Sequence, residues 1–535
     1  MSLPRLALPG LALATVLLAC GQAAPSTEAR PPAPSAAAPS PIPAGAQTGG
    51  RLILGIEYAY PQAAAVFRDS GATSAKPYPD LGAWGHVQSG PGAAFDWRTT
   101  DAFVQAYQQA DFPHLTLMLR SLADWAAIDP PVKLLHRGDS FPKPEYEDDY
   151  AAYVSAMVER YDADGVDDMP GLRTAVTLFG FEPEYSTFWP GDAESYVHLL
   201  QLAYPAVKAA NPQAQVMAAG LLMTDVFSGS PDAAEVRLRL ADPDRRVFDK
   251  TPADISLLLD HPEVFDIVDF HALGHYTEIP ATVDWLRSEM AARGYSKPIW
   301  IGDSWGGAGL NGWGPAACPA GPKSGLLEYP ATEADRCAIA ATLAALANGG
   351  NPDHAAAIEW IRAESAAGVV RKVVLAAAEG LAGINIGNVE DWETMALTLG
   401  GAGTAGWQGM IDRNMLTKEF LAYRPAYYAL RQVASVIASY TDVTRLDLGD
   451  RRLFAFSFTS GSGESVIVAW ADSGLWLPRS EAPALGARMP VDASSSLQLE
   501  WTVTVGDQPL RRQSSPVDGG LELELGPVPV FIRSG

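Results

Sequence analysis

From Arg51 onward, short apolar runs alternate with longer stretches in which apolar residues recur every three or four positions. The short runs are Leu52–Ile56, Thr73–Lys76, Leu115–Leu119, Val176–Phe179, Val216–Ala219, Ile267–His271, Ile299–Ile301 and Ile384–Ile386, and each reads as a strand. Between them, Asp101–Gln109, Tyr150–Arg160, Ala193–Ala210 and Val283–Arg293 carry the helical period. Strand–helix alternation over this length predicts an α/β domain across 51–439, a parallel sheet closed as a (β/α)8 TIM barrel. A doubly wound open sheet is the competing topology, but no glycine-rich phosphate turn follows the first strand. Beyond about Tyr440 the helical period disappears. Arg452–Thr459, Ser465–Ala471, Leu497–Val505, Leu521–Leu525 and Val528–Ile532 then predict a β-sandwich over 440–535.

The amino terminus has a different character. Arg5 precedes an apolar run, Leu6–Ala19, too short to span a bilayer and of the length of a signal peptide. It closes on Leu17-Leu-Ala-Cys20, which resembles the lipobox of bacterial lipoproteins. That resemblance implies that 1–19 is removed and that Cys20 carries lipid; an ordinary signal peptide with a chance cysteine is the alternative. Gly21 after the cysteine implies outer-membrane sorting if the source is a Gram-negative bacterium. Residues 20–50, rich in Ala, Pro and Ser, form a flexible tether. The chain is thus expected to be exported and membrane-anchored through lipid.

Export places the other two cysteines, Cys318 and Cys337, in an oxidising compartment, where a disulfide is the default and two buried thiols the alternative. A net charge of −24 over 535 residues excludes nucleic acid as the expected partner, since phosphates would be repelled.

Two strands end in acids. Thr174-Ala-Val-Thr-Leu-Phe-Gly-Phe-Glu182-Pro-Glu184 closes the fourth, and Lys297-Pro-Ile-Trp-Ile-Gly-Asp303-Ser-Trp305 closes the seventh. The carboxyl ends of barrel strands form the face where such folds do chemistry, and a pair of carboxylates is what glycoside hydrolysis needs. Glu182 is the candidate proton donor, with Glu184 as the fallback, and Asp303 is the candidate nucleophile or base. Both acids are also readable as strand ends that pair with nearby cations. His271 and Tyr276 follow the sixth strand, Lys76 ends the second and Glu57 the first; all are candidate contacts to a sugar. Trp125, Trp189, Trp305, Trp313 and Trp392 fall in loops after strands three, four, seven and eight, where aromatic rings would stack on sugar faces or simply fill loop cores. Asp162-Ala-Asp164-Gly-Val-Asp-Asp168 is an acidic turn that resembles short calcium loops. A solvated turn is the plainer reading, and any calcium there would be structural, because the chemistry requires no cofactor.

Several segments together resemble clan A glycoside hydrolases close to family 39, a group with β-xylosidases, α-iduronidases and exopolysaccharide hydrolases. They are Gly55-Ile-Glu-Tyr58, Gly71-Ala-Thr-Ser-Ala-Lys76-Pro77, Phe95-Asp-Trp97 with Asp101, Ser186–Tyr196, Val207–Pro212, Phe265–His271, Pro425-Ala-Tyr-Tyr428 and Gly526–Ile532. The likeness spans about 51–535 and implies a glycosidase with Glu182 as acid/base. Two departures stand out. Relatives carry Asn-Glu-Pro where this chain has Phe181-Glu182-Pro183, and glutamate where it has Asp303. The missing asparagine would bind the sugar's 2-hydroxyl, and aspartate reaches about 1.5 Å less far than glutamate. The expected function is therefore hydrolysis of an extracellular or periplasmic polysaccharide or oligosaccharide. The competing expectation is an inactive carbohydrate-binding lipoprotein that serves polysaccharide export or surface adhesion.

Overall fold

Nine parallel segments share one hydrogen-bonded sheet, and two of them are pieces of a single barrel strand. The computed structural model describes residues 52–128, 141–181, 189, 191–218, 220–227, 231–241, 252–307, 333–391, 405–414, 417, 419–472, 483–491, 496–517 and 519–534. Glu182, Glu184, Trp313, Trp392, Cys20, Cys318 and the leader and tether lie outside them. The strands are β1 (Ile53–Ala59), β2 (Ser74–Pro77), β3 (His114–Leu119), β4 (Leu178–Phe181), β5 (Gln215–Met217 with Leu221–Leu222), β6 (Val268–Ala272), β7 (Ile299–Ser304) and β8 (Gly383–Ile386). The first piece of β5 pairs with β4, the second with β6, and a Met217–Ile267 bridge closes the ring. The chain is a (β/α)8 barrel, with helices such as Arg98–Gln109, Glu147–Glu159, Ala193–Ala210 and Glu278–Ala292 between strands. Asp192 caps the third of these by accepting from the Ser195 N–H at 2.9 Å.

Alternation along each strand divides the residues into two sets. Leu54, Ile56, Leu117, Phe179, Phe181, Val216, Phe270, Ile301 and Ile384 join the helices in the main core. Ile53, Leu178, Met217, Ile267 and Trp300 form a separate apolar plug in the lumen at the amino ends of the strands. Further along the lumen the residues become small or polar: Gly55, Ser74, Thr116, Gly180, Asp269 and Gly302. The lumen thus runs from a greasy floor to a polar mouth. Trp300 fits into the floor only because position 383 is glycine, whose missing Cβ would fall inside the indole's van der Waals envelope.

Beyond the barrel, a hairpin (β9, Ile411–Arg413; β10, Phe420–Tyr423) and a helix, Pro425–Ile437, lead into antiparallel sheets. These use β11 (Tyr440–Arg445), β12 (Leu453–Ser460), β13 (Ser465–Ala471), β14 (Leu485–Pro490), β15 (Leu497–Trp501), β16 (Arg511–Ser514), β17 (Gly520–Leu525) and β18 (Val530–Ser534). The six-stranded sheet has the order β11-β12-β13-β18-β15-β16, and β14 pairs with β17 in a second sheet. Leu453, Ala455, Ile467, Ala469 and Ile532 face that second sheet through Met489 and Leu521. The alternate residues Phe454, Phe456, Phe458, Val468, Trp470 and Phe531 face the other way, into the barrel's own core. Among the described residues no helix is long and apolar enough to cross a membrane.

The floor packing leads to one expectation. Gly383→Ala would push Trp300 off its seat and cost about 1–3 kcal/mol, as overpacked cores do, read as a lower urea midpoint at an unchanged slope.

Candidate active site

Simple alternation from Trp300 would turn Asp303 away from the lumen. A bulge prevents this. Phe270 pairs with Ile301 and His271 with Asp303, so Gly302 is skipped and the acid swings to the lumen side. A matching irregularity lies in β1, where Ile56 pairs with Ala75 and Ala59 with Pro77. Tyr58 within it has a φ of 59°, a left-handed conformation that a tyrosine adopts only under constraint. The result of the two irregularities is one contact: the Tyr58 hydroxyl donates to Asp303 Oδ2 at 2.6 Å. Trp305 bridges to Gly387, and a Cβ at 387 would meet Trp305 Cδ1 at 3.2 Å and Tyr58 Cδ2 at 3.3 Å. Trp305, Tyr58 and Asp303 are therefore gathered at the carboxyl end of the strands, the face where barrels of this kind do chemistry.

Beneath this contact lies a buried charge cluster. Lys76 Nζ is 3.0 Å from Glu57 Oε1 and donates to the Gly302 carbonyl at 3.0 Å. The Asp269 carboxylate lies against the Cα of Gly302, in the space that a Cβ there would fill. Burial pushes Asp269 up to about 6, against the pull of His271 and Lys76, with Asp303 adding to the rise. Glu57 is also raised, by burial first and then, against Lys76, by Asp303 and Asp269. Burial alone would lower Lys76, but Glu57, Asp269 and Asp303 together raise it. Glu57, Asp269 and Asp303 thus all bear on the Lys76 ammonium. Glu57 Oε2 and Asp269 Oδ1 have no hydrogen-bonding partner among the described residues, which is why desolvation dominates both. Lys372, from the helix His354–Ala378, donates to the Ala272 carbonyl at 2.7 Å. Burial brings it down to about 8, while Glu278 and Asp303 oppose the fall.

His271 stands beside Asp303 across the strand pair, and its ring lies against Gly220, where any Cβ would collide with Nε2. The other sequence candidates lie as follows. Glu57 and Lys76 are 1% and 2% exposed and hold each other. Tyr276 packs edge-on against Phe454 and Trp470, at 5.8 and 5.9 Å between centroids, and Arg371 lies over its ring. It joins the barrel to the six-stranded sheet. Trp189 is 1% exposed and donates to the Asp192 carbonyl and Ser195 hydroxyl, which fixes it on a helix start rather than in a groove. Trp125 packs against Trp84 and Tyr146, and its indole N–H goes to the Gln88 carbonyl at 3.2 Å.

Carboxylate oxygens of Asp162, Asp164 and Asp168 lie within 4.8 Å of one another. The Asp168 carboxylate accepts from the N–H groups of Ala163 and Gly165 at 2.9 and 2.8 Å, so the turn's shape follows from its own hydrogen bonds. Cys337 is disulfide-bonded. Sequence reading missed Tyr58, Asp269 and Asn385. The nearest signal for them was the glycine immediately before Asp303, a bulge former in an otherwise apolar strand.

No protein-family profile and no curated protein matches the chain. Solved structures do. A family 39 glycoside hydrolase from the gut symbiont Bacteroides cellulosilyticus WH2 is 16% identical, with 91% of this chain and 81% of that one covered, at a TM-score of 0.55. A monomeric beta-xylosidase from Caulobacter crescentus CB15 is 14% identical over 93% and 97%, at 0.53. A glucosidase from Croceicoccus marinus is 10% identical over 92% and 97%, at 0.52. At such identities the likeness is one of fold: a barrel followed by a β-rich unit.

The raised Asp269 carries a pH signature with a definite sign. Between its ordinary value of 3.8 and about 6, the native state keeps a proton that the unfolded state releases. Its contribution to stability is therefore lost as pH rises through about 6. Asp269→Asn should gain on the wild type by up to roughly 3 kcal/mol between about pH 4 and 7 and then level off, as followed by urea unfolding across pH.

Proposed function

We propose that the protein is a glycoside hydrolase acting on an extracellular or periplasmic polysaccharide or oligosaccharide, with Glu182 as proton donor and Asp303 as its partner. The observation that carries this reading is the placing of Asp303. A bulge turns it to the lumen at the catalytic face, where the Tyr58 hydroxyl holds one carboxylate oxygen at 2.6 Å. In β4, Leu178 and Gly180 face the lumen while Phe179 and Phe181 face the helices. Glu182 follows Phe181 directly in the sequence, and the reaction requires an acid opposite Asp303.

In this mechanism Glu182 protonates the glycosidic oxygen as the bond to the anomeric carbon breaks. Asp303 meets the positive charge that develops there, either by bonding to the carbon or by taking a proton from an attacking water. Being one methylene shorter than glutamate, it stands back by about 1.5 Å, and the configuration of the first-formed product separates the two routes. Phe181 supports the second reading, an inactive carbohydrate-binding protein. It is fully buried on the helix side and brings no hydrogen bond to a sugar's 2-hydroxyl.

Aryl glycosides and bacterial exopolysaccharides, offered as a panel, decide between the readings. Asp303→Asn is expected to lose at least about a hundredfold in kcat/KM on every substrate the wild type cleaves. Glu182→Gln should lose as much on natural linkages but retain turnover of aryl glycosides whose leaving group needs no proton. Activity that survives both changes removes the assignment. Calorimetric binding without hydrolysis by the wild type establishes the second reading. The proposed anchor, lipid on Cys20, is tested separately: labelled palmitate should enter the wild type and not Cys20→Ser.

A further inference from the structure

A bulge disrupts the sheet's hydrogen-bond ladder locally and leaves a carbonyl open to partners from elsewhere. The carbonyl of Gly302 finds two, each from a different strand. It accepts from Lys76 Nζ of β2 at 3.0 Å and from Asn385 Nδ2 of β8 at 3.1 Å. The Asp269 carboxylate fills the space a Cβ at 302 would occupy, and Asn385 does the same at Gly55. All three side chains are buried, at 0–3% exposure. None of them lies at a surface where it could meet a ligand.

We infer that Lys76 and Asn385, which hold the carbonyl of Gly302, and Asp269, which packs against its Cα, are positioning residues that aim Asp303. The direction of a side chain is set by the backbone that carries it, and here that backbone is held from both sides immediately upstream of the acid. Lys76 has a second part. The same ammonium holds Glu57, the residue before Tyr58, at 3.0 Å. One cation thus ties together the residues preceding each partner of the Tyr58–Asp303 hydrogen bond. The grip also accounts for a buried ion pair in the lumen, which is an expensive arrangement as a source of stability alone. Its effect on turnover rests on the proposed role of Asp303, whereas its effect on geometry does not.

The test uses the full chain carrying Lys76→Met together with Glu57→Gln, so that Glu57 is not left behind as an unpaired carboxylate. Asn385→Ala serves as a second variant that loosens the same carbonyl without changing charge. In crystal structures of the variants, the distance from Tyr58 Oη to Asp303 Oδ2 should open from 2.6 Å to beyond hydrogen-bonding reach. On an aryl glycoside cleaved by the wild type, kcat should fall at least tenfold while KM moves less than twofold. A Tyr58–Asp303 distance that stays put in both variants overturns the inference, whatever happens to kcat. An opened distance with unchanged kcat overturns it as well. Should the wild type cleave nothing, the proposed function fails, and the crystallographic distance decides the grip by itself.

Discussion

A barrel of eight parallel strands encloses a lumen that only its own side chains can fill, and the space is too narrow for a large residue at every position. This chain meets the constraint by setting glycine against bulk. Gly383 faces Trp300, Gly180 faces Met118, Gly55 faces Asn385, Gly302 faces Asp269 and Gly220 faces His271. The first two pairs serve packing alone. The last three admit polar groups into the lumen, and these groups are the ones that surround Asp303. Close packing and candidate chemistry are therefore one arrangement, met first as an apolar floor and then as a charged mouth.

The architecture was legible because burial writes itself into the order of residues. All eight barrel strands fall where the apolar runs lie, and the Ala193–Ala210 helix matches its periodic stretch end to end. β4 begins two residues later than expected, at Leu178 rather than Val176. The run from Ala175 to Phe181 is apolar nearly throughout, so only pairing with β3, Thr116 opposite Leu178, sets where the strand begins. In the C-terminal sheets, β12 and β13 were visible because both of their faces are covered, which makes each a near-continuous apolar run. β11 and β16 lie at the sheet's edges with mostly polar residues, none of them fully buried, and their pattern says little.

The site was only partly legible, for a different reason. Asp303 was visible as an acid at a strand end, but its direction depends on a one-residue bulge that no periodicity records. Tyr58 lies past the predicted first strand, Leu52–Ile56, and its left-handed backbone leaves no trace in the periodicity. Lys76 and Glu57 looked like ligand contacts because charge near a strand end usually faces solvent, and what hid their role was a mutual pairing across strands. Tyr276 sat close to the expected mouth in sequence, yet its ring is held by aromatic residues almost two hundred positions away.

The six-stranded sheet has no face to spare. One side is occupied by its companion sheet, and the other packs Phe454, Phe456, Phe458 and Trp470 into the apolar core shared with the barrel's helices. Arg371, from a barrel helix, donates through Nε to the carbonyl of Pro527 at 3.0 Å in the same seam. Neither half owns a complete interior. The two are less like beads on a string than like a keystone and its arch, and recombination that swapped one for a distant cousin's would have to carry the matching aromatic surface along with it.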